Sequence, residues 1–181
     1  MVQDAWKITQ YIQEKLGKEK IIVLGHSWGS ILGTALVQTY PQAFSAYIGV
    51  GQIVNGIENE RISYELVLSK ANKKDASKLE ELSSYLNGSF DSNTAKQFMQ
   101  VRQIMDKYSV GAGAMKVAPL ALTSPYYSLR DVGVMFGNVW NYQDELFRYW
   151  LTEYNAENFG TEYSMPVFYI MGENDYVASR N

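Results

Sequence analysis

Apolar residues recur every four positions at the start of the chain, at Ile8, Ile12 and Leu16, with Ala5 on the same face. That period predicts an amphipathic helix over 2–16, closed by Gly17. The polar turn Lys18-Glu19-Lys20 follows, and then the period breaks. Ile21-Ile22-Val23-Leu24 is continuously apolar and mostly β-branched, which predicts a short parallel strand buried on both faces. From Ser30 to Tyr40 the pattern is again helical. Small residues at Ser30, Gly33 and Ala35 would let this helix pack closely on a sheet, and Pro41 stops it. A second strand is predicted over 46–50. From 51 to 164 no core strand is evident. Helical periods cover about 57–71, 76–86, 94–108, 128–136 and 144–154, punctuated by Gly88-Ser89, Gly111-Ala112-Gly113 and Ser124-Pro125. The run Pro166 to Met171 predicts a third strand. Strands alternating with helices imply an α/β fold with a parallel sheet of three strands, interrupted by a long helical insertion.

The candidate chemistry lies where the first strand meets the next helix, in the hexapeptide GHSWGS, Gly25 to Ser30. A serine flanked by glycines on a sharp strand-to-helix turn exposes its hydroxyl in a strained conformation. Ser27 is the candidate nucleophile, and a serine hydroxyl needs a base to act as one. The chain has one histidine, His26, inside the motif. It adjoins Ser27, and neighbouring side chains diverge at such a turn, so the expectation is a structural histidine packed beside the strand end. The competing reading of the whole motif is an ordinary β-α turn in another α/β protein. Gly49-Val50-Gly51 with Gly56 has neither the spacing nor the acidic partner of a dinucleotide loop. It reads instead as a strand end near the site that needs small residues.

Composition narrows the function classes. The 181 residues carry a net charge of -3 and no cysteine. A disulfide framework, a thiol nucleophile and a zinc-thiolate site are therefore excluded. With a single histidine as well, no metal or cofactor site is expected. Lys73-Lys74 reads as a solvated face, and no basic cluster points to nucleic acid or a membrane surface. The first ten residues, MVQDAWKITQ, form a helical pattern and not a secretory leader, and no apolar run approaches a membrane span. The cytoplasm is the expected compartment.

The segments IIVLGHSWGSILGTALVQTYPQAF and PVFYIMGENDYV together resemble the α/β-hydrolase fold superfamily. The first resembles its nucleophile strand, elbow and helix, the second a later strand whose end carries the triad acid. The resemblance implies Ser27 as nucleophile, Asp175 as the acid that orients a histidine, and the Trp28 backbone N–H as an oxyanion donor at the helix N-terminus. SWGS within the elbow, with a large helical cap, is similar to the proline iminopeptidase-like serine peptidases. It implies a small-molecule or short-peptide substrate. The expected division is a partial hydrolase core over 1–51 and 165–181 and a helical cap over 52–164.

Only 26 residues precede Ser27 and six follow Asp175. The resemblance requires more strands before the elbow and a histidine after the acid, so the chain is expected to be truncated at both ends, to be inactive alone, and to self-associate through exposed sheet edges. A substrate amine would need an acidic cap residue. Glu58, Glu60, Glu65 and Glu145 are candidates, each otherwise read as a solvated helix charge. Tyr126, Tyr127, Trp140, Tyr142, Phe147, Tyr149 and Trp150 are expected to form mainly the core of the insertion, a few of them lining an apolar pocket. The alternatives are a non-catalytic fragment or binding module of the same fold and, further off, an open α/β nucleotide-binding domain.

Overall fold

The computed structural model describes residues 1–91, 93–108, 119–120, 122–136, 144–173, 175 and 178, with backbone alone at 132, 134–136 and 144–147. In chain order the elements are α1 (Val2–Leu16), β1 (Ile21–His26), α2 (Trp28–Thr39), β2 (Phe44–Val50), α3 (Gly56–Leu68), α4 (Lys73–Leu82), α5 (Thr94–Tyr108), α6 (Leu129–Phe136), α7 (Asp144–Thr152) and β3 (Val167–Ile170). Two compact units result: residues 1–59 with 154–181, and residues 60–153. Among the described residues no helix is long and apolar enough to cross a membrane. The Gly111-Ala112-Gly113 punctuation, Trp140 and Tyr142 lie outside the described residues, as do the side chains of Glu145 and Phe147.

The first unit is built on a parallel sheet in the order β1-β2-β3. His26 pairs with Val50, and Val50 with Ile170, so the three carboxyl ends finish level. Its core is Leu36, Val37, Ala43, Phe44, Tyr47 and Met165, with Val2, Ala5, Trp6, Ile21 and Val23 packed against it. Gly33 lets α2 close on the sheet: a β-carbon there would stand 2.8 Å from the Tyr47 ring.

Two expectations from the sequence change here. The helix α1 does not bury Ile8, Ile12 and Leu16, which are exposed; it buries the strip formed by Val2, Ala5, Trp6 and Thr9. Two contacts set this rotation. The Trp6 ring stacks on Tyr40 at 4.2 Å, and Gln13 Nε2 donates to the Ala43 carbonyl at 3.2 Å. Likewise β1 is covered on one face only. Ile22 and Leu24 remain 60% and 61% exposed, and Phe168 and Ile170 lie bare on the same face of the sheet.

The second unit is helical with its own interior. Val67, Leu79, Tyr85, Phe98, Val101, Met105 and Trp150 are buried, and Phe98 meets Tyr85 and Trp150 edge to face at 5.9 and 5.5 Å. Of the aromatic residues singled out in the sequence, Trp150 thus belongs to this core, whereas Tyr126 and Tyr127 are exposed.

One polar knot joins the start of α4 to the end of α5. The Asp75 carboxylate accepts from the Tyr108 hydroxyl at 2.7 Å, from Lys107 Nζ at 2.9 Å and from Asn72 Nδ2 at 3.2 Å. The Tyr108 bond first, and Lys107 next, hold its carboxyl below the ordinary value of 3.8. A carboxyl held low in the folded state stabilises the fold above its unfolded value, and that contribution is lost as pH falls through the folded one. Below pH 3.8 the wild type should therefore lose stability more steeply than Asp75→Asn. Urea midpoints at about pH 6 and about pH 3 would show it; parallel losses in both proteins would contradict it.

Candidate active site

At the end of β1 the chain turns directly into α2, and Ser27 occupies the turn. It has φ 52° and ψ -121°, and is the one non-glycine residue with positive φ among those described. An L-residue in this region carries about 1–3 kcal/mol of strain, sustained only when its surroundings fix it. They do so here. Ser27 N–H donates to the Val50 carbonyl at 2.9 Å, and Ser27 O accepts from Ser30 N–H at 2.8 Å and from Ser30 Oγ at 2.5 Å.

The two glycines of the motif play different parts. A β-carbon at Gly25 would lie 2.6 Å from Gly29 O and 2.9 Å from Ser30 Cα, both backbone atoms that cannot swing away. At Gly29 nothing stands within 4 Å of an added β-carbon. Gly25→Ala should therefore destabilise the protein by about 1–3 kcal/mol. Gly29→Ala should leave stability unchanged or raise it by up to about 1 kcal/mol, since alanine suits a helix better. Thermal melts of the two variants would separate them, and equal losses would remove the distinction.

Trp28 is the first residue of α2, so its N–H stands at the positive end of the helix dipole, beside Ser27. The side chain is 39% exposed. His26, the last residue of β1, is exposed and not packed beside the strand end as the sequence suggested. It shares the bare face with Ile22 and Leu24, and no hydrogen bond joins its ring to Ser27 among the described residues.

The next two strand ends bring up the acid. Gly51 N–H donates to Ile170 O at 2.9 Å, and Gln52 N–H to Met171 Sδ at 3.1 Å. Beyond Met171 the chain turns, with Asp175 N–H reaching Gly172 O at 3.3 Å and Asp175 Oδ1 accepting from Ala178 N–H at 3.0 Å. Gly51, at φ 55°, lies between the two candidate residues. A β-carbon on it would meet Asp175 Oδ2 at 3.7 Å and Ser27 N at 4.0 Å. Ser27 and Asp175 are thus gathered at one sheet edge, the carboxyl end, where open α/β sheets bind ligands. The side chains of both are half-buried.

Among the acidic residues considered for a substrate amine, Glu58 and Glu65 are exposed. Glu60 is not a solvated charge: it is 0% exposed and ion-paired with Arg102. A cavity of about 160 Å³ lies by Gln52, Val54, Tyr163 and Tyr169, and its lining includes neither Ser27 nor Asp175.

Beneath the elbow runs a buried polar network that the sequence pattern did not reveal. Tyr47 OH lies 2.7 Å from Gln52 Oε1, and Gln52 Nε2 donates to Ile53 O at 2.9 Å and to Thr34 Oγ1 at 3.2 Å. Tyr154 OH also donates to Ile53 O, at 3.0 Å. Burial holds the Tyr47 phenol up at about 12. A glutamine set just after an apolar strand was the available signal.

Comparison with known proteins agrees with this architecture. The family model described as alpha/beta hydrolase fold matches residues 3–180. A Bacillus subtilis (strain 168) protein named "Probable aminopeptidase YbaC" is 33% identical over 85 residues, a match covering 47% of this chain and 27% of that protein. The matched stretch is thus well under two thirds of that relative's length. No solved structure matches the chain significantly.

Proposed function

We propose, from the membership of this chain in the α/β-hydrolase fold family, that it carries the nucleophile and acid of a serine hydrolase acting on ester or amide bonds. The observation that carries the reading is the positive φ of Ser27 at a strand-helix junction, with Gly51 close enough to both that a β-carbon on it would meet Asp175 Oδ2 at 3.7 Å and Ser27 N at 4.0 Å. In this mechanism Ser27 Oγ attacks the carbonyl carbon of the substrate. The Trp28 N–H, at the positive end of α2, donates to the oxyanion that forms. A histidine placed between Ser27 and Asp175 takes the serine proton and passes it to the leaving group. Asp175 fixes the tautomer of that histidine and stabilises its charged form. Water then cleaves the acyl-enzyme.

The finer assignment is an aminopeptidase of the proline iminopeptidase type. It is supported by SWGS within the elbow, by the helical unit between β2 and β3, and by the name of the Bacillus relative. The test is turnover of a proline arylamide and of an activated ester by a polypeptide joining this chain to a histidine-bearing segment. Ser27→Ala and Asp175→Asn should each reduce it severely. Turnover indifferent to both would sink the reading, and ester turnover without arylamide turnover would remove the peptidase assignment alone.

Self-association belongs to the same proposal. The strands β1 and β3 are outermost, and Ile22, Leu24, Phe168 and Ile170 present an open apolar face. Open strand edges and bare parallel sheets invite pairing. The mass from light scattering should rise with concentration; a stable monomer throughout would contradict this.

A further inference from the structure

We infer that Ser30 is a positioning residue of this site: its buried hydroxyl holds the strained Ser27 backbone and the loop after β2 in fixed register. A helical serine commonly bonds a carbonyl three or four residues back, and that alone would mean little. Ser30 does more. Its Oγ, on a residue 0% exposed, donates to Ser27 O at 2.5 Å and accepts from Ile53 N–H at 3.1 Å. One hydroxyl therefore spans two segments, the elbow and the loop 51–53.

That loop is the one that meets the acid. A β-carbon on Gly51 would lie 3.7 Å from Asp175 Oδ2, and Gln52 N–H is held by Met171, four residues before Asp175. Movement of Ile53 away from Ser30 would carry Gly51 and the acid turn with it, relative to Ser27. Thr39 supplies a contrast. Its hydroxyl donates to Ala35 O at 2.6 Å on the same helix, at an exposed position away from the elbow.

The catalytic meaning of this device rests on Ser27 being the nucleophile; its structural content does not. The test compares wild type with Ser30→Ala, Ser30→Thr and Thr39→Ala in the 181-residue chain, with two readouts. One is hydrogen exchange of the Ile53 amide. The other is the set of backbone couplings and carbon shifts that report φ at Ser27. In Ser30→Ala the Ile53 amide should exchange about tenfold faster or more, because its buried acceptor is gone. The Ser27 signature should move away from positive φ. Ser30→Thr, which keeps the hydroxyl, should restore both, and Thr39→Ala should change neither.

An unchanged Ile53 amide or an unchanged Ser27 signature in Ser30→Ala would overturn the inference. So would the same two changes in Thr39→Ala, which would mean general weakening of α2. If the added methyl of Ser30→Thr prevents folding, the Ser30→Ala and Thr39→Ala pair still decides. Failure of the histidine-complemented enzyme to turn over substrate would count against Ser27 as nucleophile and would leave both backbone readouts standing.

Discussion

The 181-residue chain should hydrolyse an activated phenyl ester only at a residual rate, and Ser27→Ala should leave that rate unchanged. This outcome is expected because, among the described residues, no hydrogen bond links the serine hydroxyl to a base. The chain's one histidine is His26, which is exposed on the uncovered face of the sheet with no bond to Ser27 among the described residues. The neutral hydroxyl is a poor nucleophile, and no acid protonates the leaving group. In serine hydrolases that lack a triad member, an acceleration of about 10³–10⁴ over water survives through the oxyanion hole and binding alone. The full constellation adds about 10⁶ to that. Joining the chain to a histidine-bearing segment should therefore raise Ser27-dependent turnover by several orders of magnitude. The measurement is initial rate against enzyme concentration, with Ser27→Ala as the blank. Robust turnover by the chain alone, abolished by Ser27→Ala, would identify His26 or a residue of a second copy as the base.

What could be read from the sequence was local. The elbow was legible because a serine flanked by glycines at a strand-helix junction marks a sharp turn; Ser27 has the positive φ, although only Gly25 of the two glycines meets a steric demand. The three strands were legible as short apolar runs, to within a residue or two of Ile21–His26, Phe44–Val50 and Val167–Ile170. Asp175 came from the resemblance of PVFYIMGENDYV to the acid-bearing strand of the α/β-hydrolase fold, and not from local pattern. Features set by tertiary packing were not legible. The rotation of α1 depends on a ring stack with Tyr40, 34 residues away, so the four-residue period of Ile8, Ile12 and Leu16 marked the wrong strip. Ser30 read as a small residue for close packing, and its hydroxyl bond to Ile53 has no trace in the pattern. The helix expected over 76–86 ends at Leu82 and continues as a 3-10 turn over Ser83–Asn87, closed by Gly88 at φ 82°. Glu60 read as a surface charge because four of the five residues from Gly56 to Glu60 give no sign that this turn of α3 faces a core.

Replacing Arg102 by alanine should cost the protein about 3–5 kcal/mol, the range seen when one partner of a buried ion pair is removed. Glu60 is 0% exposed, and Arg102, at 15% side-chain exposure, donates to its carboxylate through Nη2. The guanidinium also lies over the Phe98 and Trp150 rings, at 5.4 and 5.9 Å from their centres. Its removal takes the ion-pair partner from a buried carboxylate and uncovers two aromatic rings. Electrostatics in the same interior show at Tyr85, whose phenol is held far above its ordinary range by burial first and by the Glu60 charge next. An exposed pair behaves differently: Lys78 and Glu81, 2.8 Å apart at the surface, should contribute under about 1 kcal/mol. The comparison is made by urea unfolding of Arg102→Ala, Lys78→Ala and the double change Glu60→Leu with Arg102→Met. The double change should recover most of the loss, because an apolar pair of similar volume carries no desolvation cost. A loss for Arg102→Ala no larger than that for Lys78→Ala would show that Glu60 finds water or another partner in solution. That result would return it to the set of acidic residues able to meet a substrate amine.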